Sequence, residues 1–298
     1  MSEAAAKWAK WKPEIVHYAD WEVLLMRLLF AGLLYFRLPG GVVSSLSSPN
    51  GLARFVDLTW LSRPEVWEPL RWGFVGMLVL YVSGRFRAVA LPYLLFLNVA
   101  AMTIANSQGW IGHTDQIISL ILLVQTIFHV SAAVGAKFNS SGRSTNDLEI
   151  YFTQQMIASA YVVAGLTKLI KTSGLWIAQL PNIVVQLVKT NDQSYYDTLR
   201  HPNPGFSEWL TQFLVEHPSA AYILFTPGLL VEIGAIWLLW GRKPAAITGV
   251  ILLVLHALIH LTMQITFVTN IWIIVIFLVN VPYWTAYFAK RFQRSGTA

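Results

Sequence analysis

Cysteine is absent from the 298 residues, and this absence excludes several kinds of chemistry at once. Without a thiol the chain has no disulfide, no thiolate metal ligand, no iron–sulfur cluster and no cysteine nucleophile. Charge is also scarce, because only 12% of the residues are Asp, Glu, Lys or Arg, about half the share that is usual in soluble domains. No apolar stretch precedes the first long hydrophobic run, so we expect no cleavable signal peptide.

Apolar residues take the place of the missing charge and make up 55% of the chain. They gather into separate runs that are nearly free of charge and about long enough to cross a bilayer, which a single soluble core would not need. The sequence therefore predicts an all-α integral membrane protein, one domain over 1–298, with about eight transmembrane helices. The predicted spans are 21–37, 69–84, 88–107, 114–135, 149–170, 218–240, 245–267 and 270–289.

The placement of Lys and Arg predicts the orientation of these spans, because positively charged flanks are retained on the cytoplasmic side. The N-terminal segment 1–19, the short loops at 85–87, 137–148 and 241–244, and the C-terminus share one side and hold most of these residues. Both termini are therefore expected in the cytoplasm. The net charge of +6 is attributed to topology and lipid headgroups, so we expect a lipid bilayer and no nucleic acid as partner.

Two long connections, 38–68 and 171–217, lie on the predicted non-cytoplasmic side, where long loops often hold function. Apolar residues recur at helical spacing within the second connection, which predicts interfacial helices on that side. They are Ile177, Leu180, Val184, Leu187 and Val188, followed by Phe206, Trp209, Leu210, Phe213 and Leu214.

Ionisable groups within or at the ends of predicted spans are costly unless paired or hydrated, so they are the first candidates for function. Lys168 lies near the outer end of the fifth span, where apolar surroundings disfavour the ammonium and a neutral lysine is a competent general base. The alternative is a lysine that extends its amine to the lipid headgroups. The other candidates are Arg27, His113, His129, Glu232, His256 and His260.

Each of the other candidates has a functional and a structural interpretation. His113 begins the fourth span on the same side as Lys168 and could hold the lysine nitrogen, or it could be a hydrated histidine at a helix start. His256 and His260 are four residues apart on one helix face, which suits a metal or haem pair as well as two hydrogen-bonded core histidines. Arg27 and Glu232 are predicted to pair with each other or to cap polar networks.

Three stretches resemble the membrane portion of vitamin K-dependent γ-carboxylase and its bacterial relatives, the horizontally transferred transmembrane (HTTM) proteins. The stretch 161–169, with Trp176 after it, is similar to the segment that carries the carboxylase's catalytic lysine, and Lys168 takes that lysine's position. The stretch 110–115 resembles the family's tryptophan and histidine segment, and 255–259 resembles a later histidine-containing helix. Gly112 stands where the carboxylase has asparagine.

The resemblance implies a lyase-type reaction in which a base deprotonates a reduced, vitamin K-like quinone. It implies Lys168, His113 and His256 as catalytic residues, and Trp110, Trp176 and His260 as residues that bind the quinol cofactor, with no metal. The substrate is expected at the outer face, and a secreted peptide is one possibility. As a compact, cysteine-free form of the family, the chain is expected in a bacterial inner membrane.

Two other functions stay open on the sequence. From the last predicted span, close to residue 298, we expect no large lumenal region like that of the eukaryotic carboxylase. This expectation favours a non-catalytic subunit that packs with other membrane proteins or assists the maturation of a secreted partner. A small transporter would require Arg27 and Glu232 to line a pathway.

Overall fold

The structure is a computed structural model that describes residues 13–41, 51–108, 113–136, 143–199 and 205–295. Every regular element within these ranges is helical, which confirms the predicted all-α class. Eleven α-helices are described: α1 (Asp20–Arg37), α2 (Pro64–Ser83), α3 (Arg87–Ser107), α4 (His113–Ala133), α5 (Thr145–Lys171), α6 (Ile183–Thr198), α7 (Gly205–Glu216), α8 (Ala220–Gly234), α9 (Arg242–Met263), α10 (Val268–Ile274) and α11 (Val281–Ser295). Shorter 3₁₀ turns cover Gly51–Arg54, Thr59–Ser62, Leu180–Asn182 and Ala235–Trp240, and a π-helical turn covers Val275–Val279.

Four helical segments in the described part of the chain are long and apolar enough to cross a membrane, judged by length and composition. They are Arg87–Ser107, Asp115–Ala133, Ala220–Trp240 and Arg242–Met263, and they match four of the predicted spans. A fifth is obtained if Val268–Val279 and Val281–Ala289, bent by 42°, count as one span. The predicted spans 21–37, 69–84 and 149–170 also lie in helices, but charged side chains within α1, α2 and α5 make these less apolar.

The last predicted span, 270–289, is not one continuous helix, because the helix breaks at Asn280. The backbone of Asn280 has a positive φ of 50°, and Pro282 has no N–H to continue the helical hydrogen-bond pattern. The side chain of Gln154 donates to the carbonyl of Phe277 in the π-helical turn at 2.8 Å. The interruption is therefore compensated by a buried amide from α5.

The chain divides into two compact units, and α5 contributes to each of them. The first comprises Met1–Glu14 and Ala158–Ile274, and the second comprises Ile15–Ile157 and Val275–Ala298. In the second unit, α1 packs on α2, α2 on α3 and α3 on α4. Its core holds aromatic rings such as Phe30, which contacts Tyr81 and Phe277 edge to face.

The segment 171–217 contains the helices that its apolar spacing predicts. The first unit buries Leu180 and Leu187 together with Leu210 and Leu214, so α6 and α7 share one apolar cluster. The exposed fraction of these four side chains is at most 4%. Trp209 and Phe206, in contrast, lie largely exposed on α7.

Candidate functional site

Lys168 lies in the first unit and binds a carboxylate. Its Nζ donates to both carboxylate oxygens of Glu232 at 2.5 Å, and it lies 5.6 Å from the centroid of the Trp176 ring. The side chain of Glu232 is 11% exposed, whereas that of Lys168 is 37% exposed. The Lys168 side chain is therefore partly exposed, whereas the Glu232 side chain, which accepts its hydrogen bonds, is largely buried.

A glycine on α5 permits this contact. Tyr161, Gly165 and Lys168 share one face of the helix, because they are separated by four and three residues. A Cβ added to Gly165 would lie 2.9 Å from Ile233 Cγ1 and 3.3 Å from Glu232 Cβ, so α5 and α8 approach closely here. Only glycine fits this approach without a shift of the neighbouring atoms, and the approach places Glu232 beside Lys168.

The turn after α5 places Trp176 over the lysine. Ser173 and Gly174 both have positive φ, at 51° and 83°, and the N–H of Gly174 bonds to the carbonyl of Leu169 at 2.7 Å. This left-handed ending reverses the chain soon after Lys171. The structure therefore brings Lys168 close to Trp176, a second site residue predicted from the sequence, and a tryptophan face attracts an ammonium.

His256 and His260 have different surroundings, although they are one turn apart on α9. His256 is buried, and its Nε2 lies 2.7 Å from the hydroxyl of Tyr161. His260 is exposed, and its Nδ1 lies 3.0 Å from the Thr266 hydroxyl. Within the described ranges, no group of three His, Cys, Asp or Glu side chains has a metal-binding arrangement.

Tyr161 brings His256 to the face of α5 that also carries Lys168. Its hydroxyl lies 2.7 Å from His256 Nε2. The sequence analysis missed Tyr161 as a site residue, although it lies two turns before Lys168 on the same helix face. Tyr161 carries no charge within its span, so no charge signal marked it.

The structure describes only part of the two site residues that the sequence predicts at the start of α4. Trp110 lies outside the described residues; the backbone of His113 begins α4, and its side chain also lies outside what the structure describes. Two residues later, Asp115 accepts hydrogen bonds from Arg37 Nε at 2.8 Å and Nη2 at 2.5 Å. This two-point contact anchors the first turn of α4 to the end of α1.

A second polar cluster lies in the second unit and centres on Glu149, which the sequence analysis did not single out. Arg27 donates to its two carboxylate oxygens at 3.2 and 2.8 Å, and Arg87 contacts the same carboxylate. His129 Nε2 lies 3.1 Å from Glu149 Oε2. Helices α1, α3, α4 and α5 are thereby joined through one fully buried carboxylate.

This cluster corrects one sequence-based hypothesis and supports another. The prediction that Arg27 pairs with Glu232 is wrong, since Arg27 bonds to Glu149 and Glu232 bonds to Lys168. The alternative, in which each residue belongs to its own polar network, describes the structure. The presence of Glu149 at the start of the predicted fifth span was a signal that could have identified the true partner.

The chain matches no protein-family model, no curated protein and no solved structure. The resemblance to γ-carboxylases and HTTM proteins therefore remains a prediction that rests on the three sequence stretches.

Proposed function

We propose that this chain is a bacterial inner-membrane protein of about eight spans, with a quinol-dependent acid–base site at Lys168 on its non-cytoplasmic side. The Lys168–Glu232 contact carries the proposal, because it joins an amine and a carboxylate in a helix packing of largely apolar residues. Ionisable groups in such surroundings are commonly functional. The resemblance to γ-carboxylases, and through it the lyase class, supplies the choice of a reduced quinone as cofactor.

The pair can accept and stabilise a proton from a quinol. In the proposed step the O–H bond of the quinol breaks, the proton is taken up by the Lys168–Glu232 pair, and the electron pair remains on the quinolate oxygen. An ammonium on Lys168 then stabilises the anion electrostatically. Trp176 contributes an aromatic face beside the amine, where a flat ring could stack.

His113 and His256 keep their proposed roles as supporting residues, and Trp110 and His260 as residues near the quinol. The buried Tyr161–His256 contact supports a positioning role for His256, whereas the exposure of His260 makes it the less favoured contact. The proposal assigns no single substrate to this base chemistry, and a secreted peptide is one candidate.

The resemblance to γ-carboxylases implies that the quinol anion reacts with dioxygen, so the test is oxygen consumption by the full-length protein in liposomes that contain a reduced menaquinone. We expect quinol-dependent consumption above that of empty liposomes, and a decrease of about a hundredfold or more in the Lys168→Ala variant, the size expected for loss of a proton-transfer group. Lys171→Ala is the matched control, because Lys171 is exposed one turn further on and should leave the rate unchanged.

Equal rates for Lys168→Ala and the native protein would contradict the proposal, as would a native rate equal to that of empty liposomes. A Glu232→Gln variant tests the pair as a unit, since it removes the carboxylate and keeps the size of the side chain. We expect it to lose activity as Lys168→Ala does.

The two-point contact with Glu232 also favours a second candidate function, in which the ion pair is purely structural and the chain is a non-catalytic subunit of a larger membrane complex. This function predicts a partner that copurifies in fixed ratio after mild solubilisation. It further predicts that Lys168→Ala lowers the stability of the fold and that neither the native protein nor the variant consumes oxygen with quinol.

A further inference from the structure

A serine on α7 joins three helices of the first unit. The hydroxyl of Ser207 donates to the backbone carbonyl of Thr262 on α9 at 3.0 Å and accepts from the side-chain amide of Asn191 on α6 at 2.6 Å. A hydroxyl has one hydrogen to donate and lone pairs with which to accept, and Ser207 uses both capacities while it is only 5% exposed. Its side chain therefore serves as a link between neighbouring helices.

The carbonyl in this link lies at the end of a candidate membrane span. Helix α9 ends at Met263, and the last four carbonyls of an α-helix have no partner within the helix. Thr262 belongs to this last turn, so its carbonyl needs a donor from outside α9. Ser207 supplies that donor, and it thereby attaches α7, and through Asn191 also α6, to the end of α9.

The helices that Ser207 attaches also support a residue of the candidate site. Leu187 on α6 and Leu210 and Leu214 on α7 belong to one buried cluster, and Trp176 packs against this cluster. The same tryptophan ring lies beside Lys168, with 5.6 Å between Nζ and the ring centroid. Trp176 therefore contacts the cluster and approaches the amine at the same time.

We infer that Ser207 is a positioning residue for Trp176 and thereby determines how well the Lys168 amine is shielded. A close-packed interior transmits displacement, because it has little free volume to absorb it. Release of α6 and α7 from α9 therefore displaces the leucines, and the tryptophan that rests on them moves away from the amine. The relevance of this position to quinol binding rests on the function proposed above, whereas the positioning itself rests on the contacts of the chain.

The experiment measures how fast individual lysines of the detergent-solubilised full-length protein are acetylated by an N-hydroxysuccinimide ester, in the absence of quinone. Peptide mass spectrometry resolves the sites. The Ser207→Ala variant removes the hydroxyl and both of its hydrogen bonds. We expect Lys168 to react several-fold faster in this variant, because the ring beside its amine is no longer held in place. Lys171, exposed one turn further along α5, is the internal reference and should keep its native rate.

Thr211→Val is the matched control. Thr211 lies one turn after Ser207, and its hydroxyl donates to the carbonyl of Ser207 within α7 at 2.8 Å. The substitution removes a hydroxyl but no link between helices, so the rate of Lys168 should stay native. Asn191→Ala removes only the bond to α6, and it should raise the rate of Lys168 by less than Ser207→Ala does. If Ser207→Ala fails to fold, Asn191→Ala decides by the same criteria.

A double variant tests whether the effect passes through Trp176. Trp176→Ala alone should accelerate the acetylation of Lys168 several-fold, because it removes the ring. The addition of Ser207→Ala to this variant should bring no further increase, since the serine acts on the amine through the tryptophan. Independent effects would multiply instead, because the free energies of uncoupled sites add.

An unchanged Lys168 rate in Ser207→Ala would overturn the inference, because it would mean that the turn at Gly174 and the lysine itself hold the ring. Multiplying effects in the double variant would overturn it as well. Equal acceleration of Lys171 would have the same meaning, since it would report a general loosening of the chain. None of these measurements requires turnover of a quinol, so failure of this inference and failure of the proposed function are separate outcomes.

Discussion

At the scale of single residues, the site depends on the fit of Gly165 as much as on the charged groups. Its hydrogen atoms leave room for Ile233 and for the Cβ of Glu232, and the carboxylate reaches Lys168 only because the two helices approach so closely. The sequence indicated Lys168 from its charge in an apolar run. It gave no indication of Gly165, because the need for a small residue arises from the neighbouring helix.

We therefore predict that Gly165→Ala lowers the free energy of unfolding by about 1–3 kcal/mol, the cost of forcing an extra methyl group into a packed contact. The added Cβ would lie 2.9 Å from Ile233 Cγ1 and would push α8 away, so quinol-dependent oxygen consumption should fall as well. Thermal unfolding in detergent and the oxygen assay measure the two effects.

Gly234→Ala is the matched control, because nothing lies within 4 Å of a Cβ at that position of α8. Native-like stability and rate are expected for this variant. If Gly165→Ala behaved in the same way, the close approach of α5 and α8 would not be what places Glu232.

At the scale of elements, the N-terminus of α5 is fixed by a carboxylate. Asp147 accepts hydrogen bonds from the N–H of Tyr18 at 2.8 Å and from the N–H of Ser144 at 3.0 Å, and the His17 ring lies 3.1 Å away. The Ser144 hydroxyl accepts in turn from the N–H of Asp147, which forms a reciprocal cap. The segment before α1 is thereby attached to the helix that carries both polar clusters.

This cap gives the stability of the second unit a defined dependence on pH. Burial alone would raise the pKa of Asp147, but the hydrogen bonds from Tyr18, His17 and Ser144 outweigh burial and lower the pKa below its ordinary value of 3.8. The stabilisation is therefore complete above the unfolded pKa and is lost as the pH falls through the lower pKa of the folded state.

We predict that Asp147→Asn lowers the free energy of unfolding by about 0.5–2 kcal/mol at neutral pH, as expected for loss of a helix cap. The difference from the native protein should shrink as the pH falls below about 4, where the carboxylate of the unfolded state becomes protonated, and should vanish below the lower pKa of the folded state. Unfolding midpoints measured from pH 7 to pH 3 test this. Asp192→Asn, at an exposed position on α6, should follow the native curve, and a constant difference for Asp147→Asn at every pH would contradict the assignment.

At the scale of the whole molecule, four helical segments qualify as membrane spans by composition, or five with the bent pair, and the proposal of about eight adds three helices that carry charge. A salt bridge between α1 and α5 explains how these two charged helices can cross a membrane. Arg27 and Glu149 neutralise each other inside the second unit, so neither presents an unpaired charge to lipid.

The absence of cysteine allows a direct test of topology by single cysteine substitutions and a membrane-impermeant maleimide. We predict labelling of intact spheroplasts at Leu52→Cys and Gln179→Cys, which lie in the two long connections predicted on the outer side. Ala136→Cys and Lys243→Cys should be labelled only after the membrane is opened, because Ala136 directly precedes one predicted cytoplasmic loop and Lys243 lies in another. The reverse pattern would invert the topology, and labelling of all four in intact cells would contradict membrane insertion.

The all-helical class and most of the helices followed from the sequence, because long apolar runs and helical spacing report local structure directly. The same spacing predicted helices around Leu187 and Leu210, although it did not indicate that these two residues belong to one cluster. These features depend on neighbours within one or two turns. The break at Asn280 was missed because a polar residue within an apolar run changes the local pattern very little.

Which charged groups meet depends on how the helices pack. Lys168 and Glu232 are 64 residues apart, and Arg27 and Glu149 are 122 residues apart, so no spacing rule relates them. The sequence showed that each buried charge needs a partner, because an unpaired charge in apolar surroundings is costly. The choice among partners was made by helix packing, which brings together the side chains that can satisfy one another.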